Sequence, residues 1–158
     1  MPERTCGSCT ACCKTHPIME LANPAGVWCV HCSIGKGCQI YERRPQECKD
    51  FKCDWLLGFF SPEEKPNLVK VVVGDLTAPG FGPMVALYEV TEGALSGGFA
   101  RNLTKRIIAK GHFICHLPLQ GPNKIYFPAK VDMLYQDGGA YFKINERETQ
   151  IVRYVSGK

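Results

Sequence analysis

The sequence lacks several features that would place it in the membrane or outside the cell. No apolar run approaches the roughly 20 residues that a membrane-spanning helix needs. The first residues, Met1-Pro-Glu-Arg-Thr, reach Cys6 without the apolar segment of a secretory signal peptide. These absences favour a cytoplasmic protein without a membrane partner, in which thiols stay reduced and disulfide frameworks are rare.

Motifs for several kinds of chemistry are also missing. No glycine-rich strand-to-helix motif is present that would cradle a nucleotide. The glycines at 80–83 and 97–98 are too few for such a motif and indicate turns. No HExxH motif supports metal-dependent hydrolysis. A basic stripe with interleaved aromatic residues is absent, which disfavours nucleic acid as a partner. The sequence therefore favours a non-enzymatic protein over an enzyme.

Cysteine is scarce after residue 53, where only Cys115 occurs, yet nine of the ten cysteines are crowded before it. The crowded set is Cys6, Cys9, Cys12, Cys13, Cys29, Cys32, Cys38, Cys48 and Cys53. This first third is poor in aliphatic residues, so it needs metal or crosslinks to hold its shape. In a reducing compartment, metal ions are the expected partners of such thiols, and structural disulfides are the disfavoured alternative.

The spacing of these cysteines is typical of metal sites. Two intervening residues let both sulfurs of a CxxC reach one ion at about 2.3 Å, and 6–9, 9–12 and 29–32 have this spacing. Neighbouring side chains in a strand or helix point to different faces. We therefore expect Cys12 and Cys13 to serve two ions, or two sides of a cluster. Eight or nine thiolates would suit two four-coordinate sites.

The type of metal follows less directly from the sequence. Closed sulfur sites suit zinc, iron and iron–sulfur clusters. The run departs from the bacterial ferredoxin pattern CxxCxxCxxxCP, because Cys13 follows Cys12 directly. We expect zinc, at two sites, ahead of iron or an iron–sulfur cluster. Eight thiolates and two dications would cancel the formal charge of +4, so the excess Lys and Arg can offset buried sulfur.

Two histidines and one distant cysteine are further residues of types that can bind metal. His31 lies between Cys29 and Cys32, and His16 follows the adjacent pair by three residues. Each is a candidate ligand, or a hydrogen-bond donor to a ligand, although a solvated or core histidine is favoured for both. Cys115 is expected to be a buried free thiol, since cysteine is among the most buried residue types.

The chain is expected to have two parts in an α+β fold. Residues 1–60 form the cysteine-rich metal-binding module, in which Pro45 can begin a short helix. The charged, proline-rich stretch 61–66 is a connector, and 67–158 form a small α+β domain packed on the first part as one compact unit. Helical spacing of Phe99, Leu103 and Ile107, ending near Gly111, predicts one helix that covers a small antiparallel sheet. Short β-branched or aromatic runs predict strands at 68–73, 84–90, 112–117, 124–127, 140–144 and 150–155.

Residues 6–55 resemble the CxxCxxCC cysteine-cluster family, also called the YkgJ-like zinc- or iron-chelating domain. The resemblance rests on Cys6-Gly-Ser-Cys9-Thr-Ala-Cys12-Cys13, Trp28-Cys29, Gly37-Cys38-Gln-Ile40-Tyr41 and Arg44-Pro45-Gln-Glu-Cys48-Lys-Asp-Phe51-Lys-Cys53. It implies eight metal-binding cysteines, which by position are Cys6, Cys9, Cys12, Cys13, Cys29, Cys38, Cys48 and Cys53. Cys32 is an addition to the family pattern and is a possible further ligand, as is His31.

The resemblance implies metal binding without a fixed reaction. Longer relatives include flagellin lysine N-methylases, in which a similar cluster accompanies methyl transfer from S-adenosylmethionine. The expected function is therefore a metal-binding protein with a structural or metal-handling role. The alternatives are an iron–sulfur-dependent enzyme or accessory protein, and a thiol redox or metal-responsive protein. Arg44 is expected to offset the charge of the thiolates.

Overall fold

The computed structural model describes residues 3–129, 131 and 140–155. It is a mixed α+β structure with a curled six-stranded sheet and a separate two-stranded antiparallel sheet. The helices are α1 (Cys12–Thr15), α2 (Gln46–Asp50), α3 (Pro66–Val69) and α4 (Gly98–Ala109). The strands are β1 (Cys32–Ser33), β2 (Gly37–Cys38), β3 (Val71–Ala78), β4 (Gly82–Glu89), β5 (Ile114–Leu117), β6 (Asn123–Phe127), β7 (Ala140–Ile144) and β8 (Arg147–Arg153). Short 3-10 helices occupy Met19–Leu21, Tyr41–Arg43, Pro62–Glu64 and Ala94–Ser96.

The large sheet has the strand order β3-β4-β5-β6-β8-β7. The prediction of a purely antiparallel sheet is wrong, because β4 pairs with β5, and β6 with β8, in parallel. The physical reason for the first pair is α4, whose crossover returns the chain to the same end of the sheet. The second pair arises because β7 and β8 form a hairpin in which β8 lies between β7 and β6.

Both faces of the central strands are buried, as their nearly continuous apolar sequences require. On one face Val71, Val73, Leu87 and Ile114 pack with α4. On the other face the buried residues include Val72, Ala86, Tyr88, Cys115 and Ile125, and Ala11 from the N-terminal segment belongs to the same cluster. The sheet therefore separates α4 from the cysteine-rich segment.

Helix α4 is the predicted covering helix. Ala100 and Leu103 are buried against the sheet, while Arg101 is exposed. Gly111 has a φ of +83°, which favours glycine. Its N–H donates to the Ile108 carbonyl at 2.9 Å, and the His112 N–H donates to the Ile107 carbonyl at 3.2 Å. This pattern satisfies the last carbonyls of a helix and explains why α4 ends here.

The cysteine-rich segment is attached to the sheet by polar and apolar contacts. The Asp54 N–H donates to the Val73 carbonyl at 2.8 Å. The Lys14 ammonium donates to the Val90 carbonyl at 2.8 Å. The ring of Phe51 lies 3.4 Å from the position that a β-carbon would take on Gly74. Glycine at that point in β3 thus lets the ring approach the strand closely.

The described residues form only short helices. None of the helices among them reaches the length and apolarity that crossing a bilayer demands. The longest of them, α4, has 12 residues.

Candidate metal centre

Eight cysteines from separate stretches of the sequence line one cavity of about 780 Å³. They are Cys6, Cys9, Cys12, Cys13, Cys29, Cys32, Cys38 and Cys48. All ten cysteines fall in the described part of the chain, and all are free thiols. The cavity lies between the N-terminal segment and the sheet, which contributes Leu76 and Tyr88 to its lining. Folding therefore gathers seven of the eight predicted ligands, together with Cys32.

The CxxCxxCC run is shaped by tight backbone turns. The Cys9 N–H bonds to the Cys6 carbonyl at 2.9 Å, and the Cys13 N–H bonds to the Thr10 carbonyl at 2.9 Å. The buried Thr10 hydroxyl oxygen accepts a hydrogen bond from the Gly35 N–H at 3.1 Å. This bond ties the run to the turn between β1 and β2. The turns bring the first four cysteines to the same cavity.

Cys32 reaches the cavity because of its position in the small sheet. It lies directly opposite Cys38 in the β1–β2 pair, and opposite residues share a face. The Cys29 N–H bonds to the Cys13 carbonyl at 3.0 Å, and the Cys32 N–H bonds to the Cys29 carbonyl at 3.0 Å. The small sheet and the adjacent turn therefore hold three further thiols next to the CxxCxxCC run.

The adjacent cysteines Cys12 and Cys13 interact directly. The Cys13 and Cys12 thiols are hydrogen-bonded, and this bond is the main reason why the pKa of Cys13 lies far above its usual range. Both side chains face the same cavity, and the expectation that they serve two ions, or two sides of a cluster, stays a prediction. Neighbours on a helix are about 100° apart, and α1 is a single turn beside a broad cavity, so both thiols reach it.

Two cysteines lie outside the described lining of the cavity. Burial raises the pKa of Cys53, and the nearby thiols of Cys6 and Cys9 raise it further, which places Cys53 beside them. Cys115 is fully buried in β5, where burial raises its pKa to about 12. The sequence-based expectation of a buried free thiol at Cys115 is confirmed.

The surroundings of Cys48 and Cys32 favour the protonated form of these two thiols. Burial raises the pKa of Cys48, and the thiols of Cys13, Cys29 and Cys38 add to the rise. Burial, followed by Cys13, raises the pKa of Cys32 to about 11. A redox or metal-responsive thiol needs a lowered pKa, so these shifts run against that alternative. They also mean that a cation would be needed to stabilise several thiolates together.

At one side of the site, basic side chains partly offset the rise in thiol pKa. Burial and the neighbouring Cys9 raise the pKa of Cys6, but Arg44 and Lys65 lower it in part. Arg44 lines the cavity. Its guanidinium lies 3.9 Å from the centre of the Tyr41 ring and donates to the Tyr41 carbonyl at 2.7 Å. The expected role of Arg44 in offsetting thiolate charge agrees with this position.

The structure separates the two candidate histidines. His16 lines the cavity, whereas the described lining does not include His31. The His16 ring lies between those of Phe51 and Tyr88, at centroid distances of 4.0 and 4.2 Å. Its Nδ1 is 2.8 Å from the Thr15 hydroxyl oxygen, while its buried Nε2 has no hydrogen-bond partner among the described residues. Burial lowers the pKa of His16 to about 4, so the ring is neutral at pH 7.

Two polar residues of the cavity were not predicted from the sequence. Tyr88 lines it from the end of β4, but the run 84–90 is apolar almost throughout, so no polar–apolar alternation in the sequence indicates which face Tyr88 takes. Glu47 also lines it, and its carboxylate accepts hydrogen bonds from the N–H groups of Met19 and Glu20 at 3.2 and 3.1 Å. These partners are more than 20 residues away, so no local pattern indicates the contact.

The thiols surround the cavity without closing on a single point. Within 3–129, 131 and 140–155, no group of three or more Cys, His, Asp or Glu side chains is arranged ready to hold a metal ion.

Comparisons with protein-family models, with curated proteins and with solved structures found no match to the chain. The resemblance of residues 6–55 to the cysteine-cluster family therefore rests on the quoted residues and stays a prediction.

Proposed function

We propose that this protein binds metal through the cysteines of the cavity, with zinc as the first candidate and a structural or metal-handling role. The observation that carries the proposal is the convergence of eight thiols, from turns, α1, α2 and the small sheet, on one cavity. Soft sulfur donors suit zinc and iron. A divalent cation would stabilise the thiolates that burial and mutual repulsion disfavour.

The electrostatic neighbours support a division of the thiols into two sets. Cys53 interacts with Cys6 and Cys9. Cys48 interacts with Cys13, Cys29 and Cys38, and Cys32 adjoins this second set through Cys13. The two sets are linked, because Cys13 also raises the pKa of Cys6 and its thiol is hydrogen-bonded to that of Cys12. With Cys12, these thiols number one more than the eight that two four-coordinate sites need, so one of them would not be a ligand.

Binding would require the thiols to move closer together and to lose their protons. Zinc–sulfur bonds are about 2.3 Å long, and the thiols are spread around a cavity of about 780 Å³. Zinc supplies folding energy directly, roughly 10–16 kcal/mol of apparent binding in zinc-finger peptides. The N-terminal segment has only short helices and a two-residue strand pair, so a contribution of this kind is what it needs.

Elemental analysis of the full chain, purified without oxygen, tests the proposal. We expect zinc, or iron, in stoichiometric amount. Cys48→Ser should lower the metal content, because Cys48 lines the cavity. Cys115→Ala should leave it unchanged, because Cys115 is buried in the sheet outside the described lining. A folded, metal-free protein with paired cysteines would contradict the proposal, as would an unchanged metal content in Cys48→Ser.

The size of the cavity favours one alternative, an iron–sulfur-dependent enzyme or accessory protein. The volume of about 780 Å³ exceeds what two metal ions occupy and falls within the roughly 300–1,000 Å³ of small-molecule sites. The space beside the thiols would then accept a cluster or a substrate. An iron–sulfur protein purified without oxygen is brown and absorbs visible light, whereas a zinc protein is colourless, so the spectrum separates the two.

A further inference from the structure

His16 has a buried ring nitrogen whose bonding capacity is unmet. The residue lines the cavity together with the eight cysteines. Its Nε2 is screened from solvent and, within the described part of the chain, has no hydrogen-bond partner. Buried polar atoms are nearly always paired, and an exception calls for an explanation such as a bound ion. Leaving such a group unpaired costs about 1–3 kcal/mol.

The surroundings of His16 fix the ring in one place. Phe51 and Tyr88 hold it on two sides, at 4.0 and 4.2 Å between ring centroids. The third contact is between Nδ1 and the hydroxyl oxygen of the buried Thr15, at 2.8 Å. Thr15 ends α1, the helix that begins with the adjacent cysteines, and His16 is the next residue. The nitrogen without a partner is therefore held on the same turn of chain as two of the thiols.

We propose that His16 is a nitrogen ligand, through Nε2, to an ion held by the cavity thiols, and that Thr15 is its positioning residue. In this arrangement the Nδ1–H donates to the Thr15 hydroxyl oxygen, which leaves the lone pair of Nε2 free for the metal. Metal-bound histidines commonly donate their other ring N–H in this way. The inference rests on the proposed metal binding and deepens it, because it makes one of the sites a mixed sulfur and nitrogen site.

The arrangement also distinguishes the two histidines near the cysteines. His31 lies within a CxxC spacing, which makes it the more obvious ligand in the sequence, but the cavity lining that the structure describes excludes it. His31 therefore offers a matched control: a histidine close to the thiols in sequence that should not contribute nitrogen to the site.

X-ray absorption of the zinc-loaded full chain tests the inference without an activity assay. We expect sulfur at about 2.3 Å and imidazole nitrogen at about 2.0–2.1 Å from zinc. His16→Gln should lose the imidazole signal, and His31→Gln should keep it. Thr15→Val should keep it but bind zinc about 10–100-fold more weakly, as changes at the hydrogen-bond partner of a metal ligand do.

The outcomes separate this inference from metal binding itself. Zinc bound by sulfur alone in the wild-type protein would overturn the role of His16 and leave the proposed function standing, as would an imidazole signal that persists in His16→Gln. Failure of the wild-type chain to bind either zinc or iron would remove both. If His16→Gln does not fold, NMR spectra of the nitrogen-labelled wild-type protein loaded with NMR-active cadmium provide the test. A coupling between cadmium and His16 Nε2 supports the inference, and its absence overturns it.

Discussion

A single hydrogen bond determines the tautomer of His116, a partly buried histidine of β5. The Thr104 hydroxyl donates to the Ala100 carbonyl at 2.7 Å within α4. Its only hydrogen is thereby used, so its oxygen accepts from His116 Nε2–H at 2.8 Å. Burial, with a smaller contribution from Lys124, lowers the pKa of His116 to about 4. The residue is therefore neutral at pH 7 and links α4 to β5.

This state makes the stability of the fold dependent on pH. The unfolded histidine has a pKa of about 6.5, so between pH 6.5 and 4 the unfolded chain binds more protons than the folded one. The contribution of His116 is complete above pH 6.5 and is lost as the pH falls toward 4, by about 3 kcal/mol. In urea unfolding measured across this range, His116→Gln should reduce the pH dependence by that amount. An equally steep dependence on pH in the wild-type protein and in His116→Gln would contradict the assignment.

At the scale of elements, one carboxylate holds three chain segments together. Glu89, at the end of β4, is only 5% exposed. Its Oε1 accepts from the N–H groups of Gly93 and Leu95 at 2.8 and 3.3 Å, and its Oε2 accepts from the Leu119 N–H at 2.9 Å. These bonds position the entry to α4 and the chain after β5. They satisfy both oxygens of a buried charge, which would otherwise be costly.

Replacing this carboxylate should therefore loosen one end of the sheet. Glu89→Gln keeps the shape but turns one acceptor into an NH₂ group that faces a backbone N–H. Hydrogen bonds to charged groups contribute about 1.5–3 kcal/mol, and we expect a loss of about 2–3 kcal/mol in the free energy of unfolding. Exposed Glu92→Gln is the matched control. Equal stability of the two variants would show that the three bonds do not contribute as argued.

Much of the element pattern was predictable from the sequence, because local signals determine it. The helix carrying Leu103 and the strand at 140–144 were predicted where they occur. The strand predicted from 68 begins instead at Val71, since Pro66 starts α3 and Lys70 adopts a left-handed conformation with a φ of +61°. The two parallel pairings were not predictable, because they depend on where distant strands insert into the sheet.

Some features of the candidate site could likewise be predicted from local sequence patterns, whereas others depend on contacts between distant segments. Crowded cysteines and CxxC spacing indicate the thiols, but they do not reveal that Cys32 faces Cys38 or that Cys53 falls outside the described lining. The contribution of His16 depends on Phe51 and Tyr88, which are 35 and more residues away in the sequence and pack on it only after folding. Such contacts between distant segments carry no local signal.

At the scale of the whole molecule, the two parts of the chain differ in how many apolar side chains they bury. The sheet and α4 bury Val71, Leu87, Ile114, Ile125 and Phe127 almost completely. The segment before Cys53 buries few aliphatic side chains, chiefly Ala11 and Ile18. It nevertheless covers the face of the sheet that carries Val72 and Tyr88. Metal in the cavity would thus stabilise a layer that the sheet needs but that cannot form a core of its own.

Removing the metal should consequently affect the two parts unequally. We expect a strong chelator, with reductant present, to increase hydrogen exchange throughout residues 6–53, because these amides depend on thiol coordination. Strands β3–β6 should remain protected by their own core, with a lower global stability after losing cover on one face. Added zinc should restore the protection, while magnesium should not, because it prefers oxygen ligands. Unchanged exchange at 6–53 in protein shown to be free of metal would mean that packing alone holds the N-terminal layer and that coordination does not organise it.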